Sequence, residues 1–80
     1  MKLPKAGEKY VHFRGEDKVY EIVAIARDNE DYYKKDVIYK QLYETEMFSK
    51  GTIWRRSLED FLGHKQFLDG SFVKRFKRID

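Results

Sequence analysis

The sequence predicts a mainly β protein: a small five-stranded SH3-like barrel with one short helical turn before the last strand. Three observations carry that expectation. Val19–Arg27 is the longest run dense in β-branched and aromatic residues, Glu8–Arg14 alternates apolar and polar side chains with period two, and no connection is long enough to hold the crossover helix that parallel strands need. The 80 residues fit one domain, and a fold of this size buries only about 60 to 65% of the surface its unfolded chain exposes. With no cysteine, neither a disulfide nor a thiolate metal site supports so small a core. The 6 Phe, 6 Tyr and 1 Trp must therefore supply the packing.

Residues 1–6 read as a polar lead-in, because Pro4 argues against regular structure, and the domain is expected over 7–80. In Glu8–Arg14, Val11 and Phe13 point one way, while Tyr10, His12 and Arg14 point to the outer face. Gly15-Glu16-Asp17-Lys18 supplies a turn that returns the chain antiparallel into Val19–Arg27. That central strand interrupts its apolar residues only at Glu21, so both of its faces are expected to be covered. Asp28–Asp36 is a charged, exposed loop. Val37–Tyr43 returns to strand composition. Two inward faces compete there, Val37/Tyr39/Tyr43 and Ile38/Leu42, and a bulge near Lys40-Gln41 would reconcile them.

After a connection over Glu44–Gly51, Thr52–Arg56 forms a fourth strand, with Ile53 on one face and Thr52, Trp54 and Arg56 on the other. Ser57 is placed to cap a single helical turn with Asp60 in its first turn, and Gly63 ends it. Leu58, Phe61 and Leu62 then share a side that can seal the end of a barrel. Asp69-Gly70 marks a turn between Gln66–Leu68 and a final strand over Phe72–Ile79.

The order Gly7-x-x-Tyr10-x-His12-Phe13-Arg14-Gly15, Tyr20-Glu21-x-Val23-x-x-x-Ala26-Arg27, Val37-x-Tyr39-x-x-Leu42-Tyr43, Trp54-x-Arg56, Phe61 and Arg75-Phe76 resembles the small bacterial and phage domain of unknown function DUF1653. The resemblance covers residues 7 to 79. It implies a compact, β-rich, SH3-like domain that usually stands alone, with no assigned activity, cofactor or catalytic residue to carry across. Arg55 stands where an apolar residue is common in that family, which places the fourth strand near an edge or a barrel mouth.

No signal-peptide core and no apolar run near 18 residues is present, which leads to the expectation of a cytoplasmic protein without a membrane segment. Lys plus Arg (17) exceed Asp plus Glu (14), and the pI near 9.1 admits an acidic partner without demanding one. His12 and His64 lack metal-ligand spacing, no carboxylate pairs recognisably with a nucleophile, and no phosphate-binding glycine loop occurs. No catalytic residue, metal or cofactor is therefore assigned, and an enzyme is the third reading.

The candidate ligand-binding residues are Tyr10, His12, Arg27, Tyr39, Trp54 and Arg56. Trp54 and Arg56, two apart on one strand face, offer stacking area and a forked donor to a single ligand. The plainer alternative packs Trp54 under the Glu44–Gly51 loop and pairs Arg56 with a carboxylate. Phe72–Ile79 interleaves Lys74, Arg75, Lys77 and Arg78 with aromatic residues. Those cations suit a phosphate backbone, or protect an edge strand from pairing. The leading expectation is a monomeric, non-enzymatic binding module for nucleic acid or another anionic ligand. The alternative is a protein-interaction adaptor that uses a strand edge or a groove lined by Tyr32, Tyr33 and Tyr39.

Overall fold

A computed structural model describes residues 3–80. In chain order the elements are β1 (Lys9–His12), β2 (Val19–Arg27), β3 (Lys35–Gln41), β4 (Ile53–Ser57), α1 (Leu58–Phe61), β5 (His64–Gln66), β6 (Phe72–Lys74) and β7 (Phe76–Arg78). The expected mainly β architecture, with five main antiparallel strands and one helical turn before the last strand, is present. Strands β4-β3-β2-β1-β7 form one sheet, and β5-β6 form a separate hairpin. The turn residues act as the sequence implied. Gly70 adopts φ +89 at the tip of β5-β6, where an L side chain would be strained, and Ser57 Oγ accepts the Asp60 N–H at 3.2 Å to start α1.

The expected last strand is split in two. Lys74 pairs with His64 in the hairpin, whereas Phe76 pairs with His12 in the main sheet. Arg75 sits at the crossing, with its N–H on the Gly63 carbonyl and its own carbonyl accepting from Phe13. Composition alone shows no break because both halves are rich in Phe and Lys. β7 does lie at a sheet edge, as one reading of its basic residues required. β4 is the opposite edge, and there Arg55 faces outward with its guanidinium 3.1 Å from Asp36.

Two expectations about the central strands are corrected by one feature. Ile22 pairs with Tyr39 and Ala24 with Ile38, so β2 carries one extra residue at Val23 and the bulge belongs to β2, not to Lys40-Gln41 of β3. The bulge puts Ile22 and Ile25 on the same side, which is why the run looks apolar on both faces. Val23 and Ala24 are in fact exposed. β3 alternates regularly, with Val37, Tyr39 and Gln41 buried.

The core lies against the concave face of the curled sheet. Ile22, Val37, Tyr39, Phe61 and Phe76 are buried, with Tyr10, Tyr20, Ile25, Trp54, Leu58 and Leu62 packed on them. The Phe61 and Phe76 rings stack at 4.3 Å with an interplanar angle of 11°, and Tyr39 stands 5.5 Å from each. Leu58, Phe61 and Leu62 thus share a side that packs on the core, as their spacing implied. Pro4 is also fully buried, so the packed unit takes in part of the segment expected to be a lead-in. A proline buries cheaply there because it has no N–H to satisfy.

Gln41 is the one buried polar residue among those described. Its amide nitrogen donates to the carbonyls of Tyr43 (2.8 Å) and Phe48 (3.1 Å), and its oxygen accepts from Trp54 Nε1 (3.1 Å). Satisfied on both ends, it fixes the 44–51 loop over β4. No helix among the described residues is long and apolar enough to cross a membrane.

Candidate functional site

The strand register places His12, Tyr20, Tyr39, Trp54, Arg56 and Phe76 on the concave face, where they line a cleft of about 250 Å3 together with Arg14, Lys18 and Tyr43. Tyr10 and His12 therefore face inward, contrary to the outward placement expected from alternation. Alternation fixes which residues share a face, not which face is the core. Tyr10 and His12 set their rings against Phe61 and Phe76 of the core, and Val11 and Phe13 turn to the other side of the sheet.

Of the six expected site residues, His12, Tyr39, Trp54 and Arg56 converge. Tyr10 does not reach the cleft. Its ring packs edge-on against Phe61 at 5.2 Å and its hydroxyl donates to Glu8 (3.1 Å), so burial and then the Glu8 contact push its pKa up. Arg27 is also elsewhere, with its guanidinium on the Tyr32 carbonyl at 2.8 Å, tying the 28–34 loop to its own strand. The expected groove of Tyr32, Tyr33 and Tyr39 does not form, because Tyr39 is buried in the core while Tyr32 and Tyr33 stand on the exposed loop. Trp54 lies under Phe48 of the 44–51 loop (4.8 Å, near-perpendicular), which limits its role to wall and support. Arg56 has no carboxylate partner among the described residues.

Three cations of the cleft lie over aromatic rings. Arg56 is 5.6 Å from the Phe76 centroid, Lys18 4.9 Å from Tyr43, and Arg14 5.7 Å from Phe13. A ring face holds a cation in place without neutralising it. Arg56 is fixed further by its Nε, which donates to the Tyr39 hydroxyl at 3.3 Å. Its two terminal nitrogens have no partner among the described residues, so a planar fork is left for an incoming oxyanion. Lys18 shares its charge with Asp17 at 3.5 Å, outside the lining. The lining itself contains no carboxylate.

His12 accepts the Arg14 N–H at Nδ1 (3.2 Å), so its proton sits on Nε2. Burial, followed by the positive charges of Arg56, Arg14 and Arg75, lowers its pKa to about 4, and at neutral pH it is an uncharged donor. Tyr20 and Tyr43 hydrogen-bond to each other through their hydroxyls. Burial and then that bond raise the Tyr20 pKa, keeping its proton available. One hydroxyl of the pair donates to the other, which leaves the second free to donate into the cleft. The site thus offers an oxyanion a fork, a ring N–H, a phenol and further positive charge.

Arg14, Lys18, Tyr20 and Phe76 line the cleft beyond the residues expected from the sequence. The signal was the hairpin register. The His12 N–H bonds to the Lys18 carbonyl, and Tyr10 pairs with Tyr20, so the turn between them brings Lys18 beside His12.

These features define a small, mainly β domain with a cation-lined cleft on its concave face. The chain belongs to the family described as "Protein of unknown function (DUF1653)", whose model matches residues 8–78. No curated protein and no solved structure matches it.

Proposed function

We propose that this domain is a non-enzymatic binding module whose concave cleft holds an anionic oxygen group, with the phosphate of a nucleotide or nucleic acid as the ligand that suits the lining best. The observation that carries the reading is a lining that holds three cations over aromatic faces and contains no carboxylate, Lys18 alone having an acidic neighbour, Asp17, outside it. A pair of opposite charges is spent on itself, whereas a cation held by a ring keeps its charge for a ligand. The cleft is too small for a duplex and sized for one group. Aromatic walls favour a ligand that carries a flat ring next to its charge. The absence of cysteine fits a reducing compartment such as the cytoplasm.

The test is titration of the protein with inorganic phosphate and with thymidine 5′-monophosphate, followed by NMR. Shifts should concentrate at His12, Tyr20, Tyr39 and Arg56, and Arg56→Ala should weaken binding about 10- to 100-fold, the worth of charged hydrogen bonds lost. If Arg56→Ala binds both probes as the wild type does, or if neither probe moves these signals, the reading fails.

A further inference from the structure

We infer that the cleft is one end of a track for single-stranded nucleic acid, which continues past His12 into the groove on the outer face of β1 between Phe13 and Lys74/Lys77. The inference rests on the anion reading of the cleft and extends it to a second surface. His12 is the hinge between the two, because it lines both the cleft and a separate groove of about 350 Å3. Its ring stands 5.0 Å from Phe76 on the cleft side and 4.5 Å from Phe13 on the groove side. Phe13 in turn meets Phe67 of the β5-β6 hairpin at 6.1 Å. His12, Phe13 and Phe67 therefore make an aromatic ledge from the cleft to the outer face, with the buried Phe76 behind His12.

Cations flank this ledge along its length. Arg14 lies over Phe13 at the crossing, and Lys74 and Lys77 line the groove. Neither lysine has a carboxylate partner among the described residues. Arg78 does not contribute, being held by Glu8 (3.1 Å) and Asp80 (3.3 Å). One carboxylate, Glu16, lines the groove.

Flat apolar faces alternating with unpaired cations match the bases and phosphates of one strand, in any sequence. An acidic peptide would use the cations and leave the ledge idle. A duplex hides its base faces and cannot use the ledge at all.

The experiment compares the wild type with a Lys74→Ala/Lys77→Ala double variant, both side chains being exposed and outside the core. The probes are thymidine 5′-monophosphate, oligothymidylates of two to six nucleotides, a six-base-pair duplex and hexaglutamate. Wild-type affinity should rise at least about tenfold from one nucleotide to three or four and then level off. The double variant should lose that gain, lower the log–log salt slope for the hexamer by about 1.4, and bind the monophosphate unchanged.

No gain with length, with Arg56-dependent monophosphate binding intact, would overturn the track and leave the cleft reading standing. Equal weakening of monophosphate and hexamer by the double variant would overturn it too, as would a duplex or hexaglutamate binding as tightly as the oligothymidylate. Failure of every probe to bind would remove both readings.

Discussion

Two hollows meet at Arg56, and they differ in how their charges are used. The larger, about 430 Å3, is lined by Asp28, Lys34, Asp36, Arg55, Arg56, Ser57 and Asp60. Its three carboxylates face Lys34 and Arg55 besides the Arg56 that it shares with the cleft, and Asp28 already accepts the N–H groups of Glu30 and Asp31, which hold its pKa below the usual value. The smaller cleft on the concave face has cations without carboxylates. The balance of charge in the lining, not volume, separates the two: the cleft lining is cationic throughout its charged residues, whereas the larger hollow mixes both signs and contains the Arg55–Asp36 pair.

The two hollows share a support, and removing it should have the largest effect. Phe61 stacks on Phe76 of the cleft, while its neighbours Ser57 and Asp60 line the larger hollow. Phe61→Ala should cost about 3–5 kcal/mol, much of the roughly 4–12 kcal/mol that a chain of this size commands. Urea denaturation should show a large fall in midpoint. A variant as stable as the wild type would mean that the stacked pair does not hold the core.

Charge reversal sharpens the contrast. Arg56→Glu should weaken binding of thymidine 5′-monophosphate more than 100-fold, because a lost charged hydrogen bond is joined by repulsion. The same reversal at Arg55, one residue along but in the balanced hollow, should change it less than about threefold. Equal losses at the two positions, measured by calorimetry, would erase the distinction.

A smaller effect follows pH. His12 titrates near 4 in the folded chain against about 6.5 unfolded. The unfolded state therefore binds more protons between those values, so this residue's contribution to stability is complete above about pH 6.5 and is lost as pH falls toward 4. Thermal melts of His12→Gln should fall less over that range than melts of the wild type. Parallel curves would show that His12 is not held neutral in the cleft. The smallest change is expected for Arg55→Ala, whose exposed pair with Asp36 should be worth less than about 1 kcal/mol.

Local signals were legible in the sequence where chemistry and geometry coincide. The Ser57 cap, the Gly70 turn and the limits of β2 follow from a few local residues each, and the edge position of β4 from Arg55 set against the family pattern. Sidedness was harder to read, because Tyr10 and His12 are polar at the tip and apolar along the ring, and a period of two cannot say which face α1 will cover. The split at Arg75 depends on pairing with two different strands, and pairing is not local. The site was half legible for the same reason. His12, Tyr39, Trp54 and Arg56 carry their chemistry in their names, whereas Lys18 enters only through the register of the first hairpin, and Tyr10 and Arg27 are diverted by partners that no spacing announces. Gln41 gave no signal at all, since its burial is explained only by the three groups that satisfy it.

The extra residue at Val23 bends β2 and adds twist, helping to bring Arg56 of one edge strand over Phe76 of the other. Deleting Val23 would leave Ile22 opposite Tyr39 and Ile25 opposite Val37 in unbroken alternation, a regular but flatter sheet. In evolutionary terms the bulge is one codon deep: a three-base deletion would preserve every core side chain and remove it.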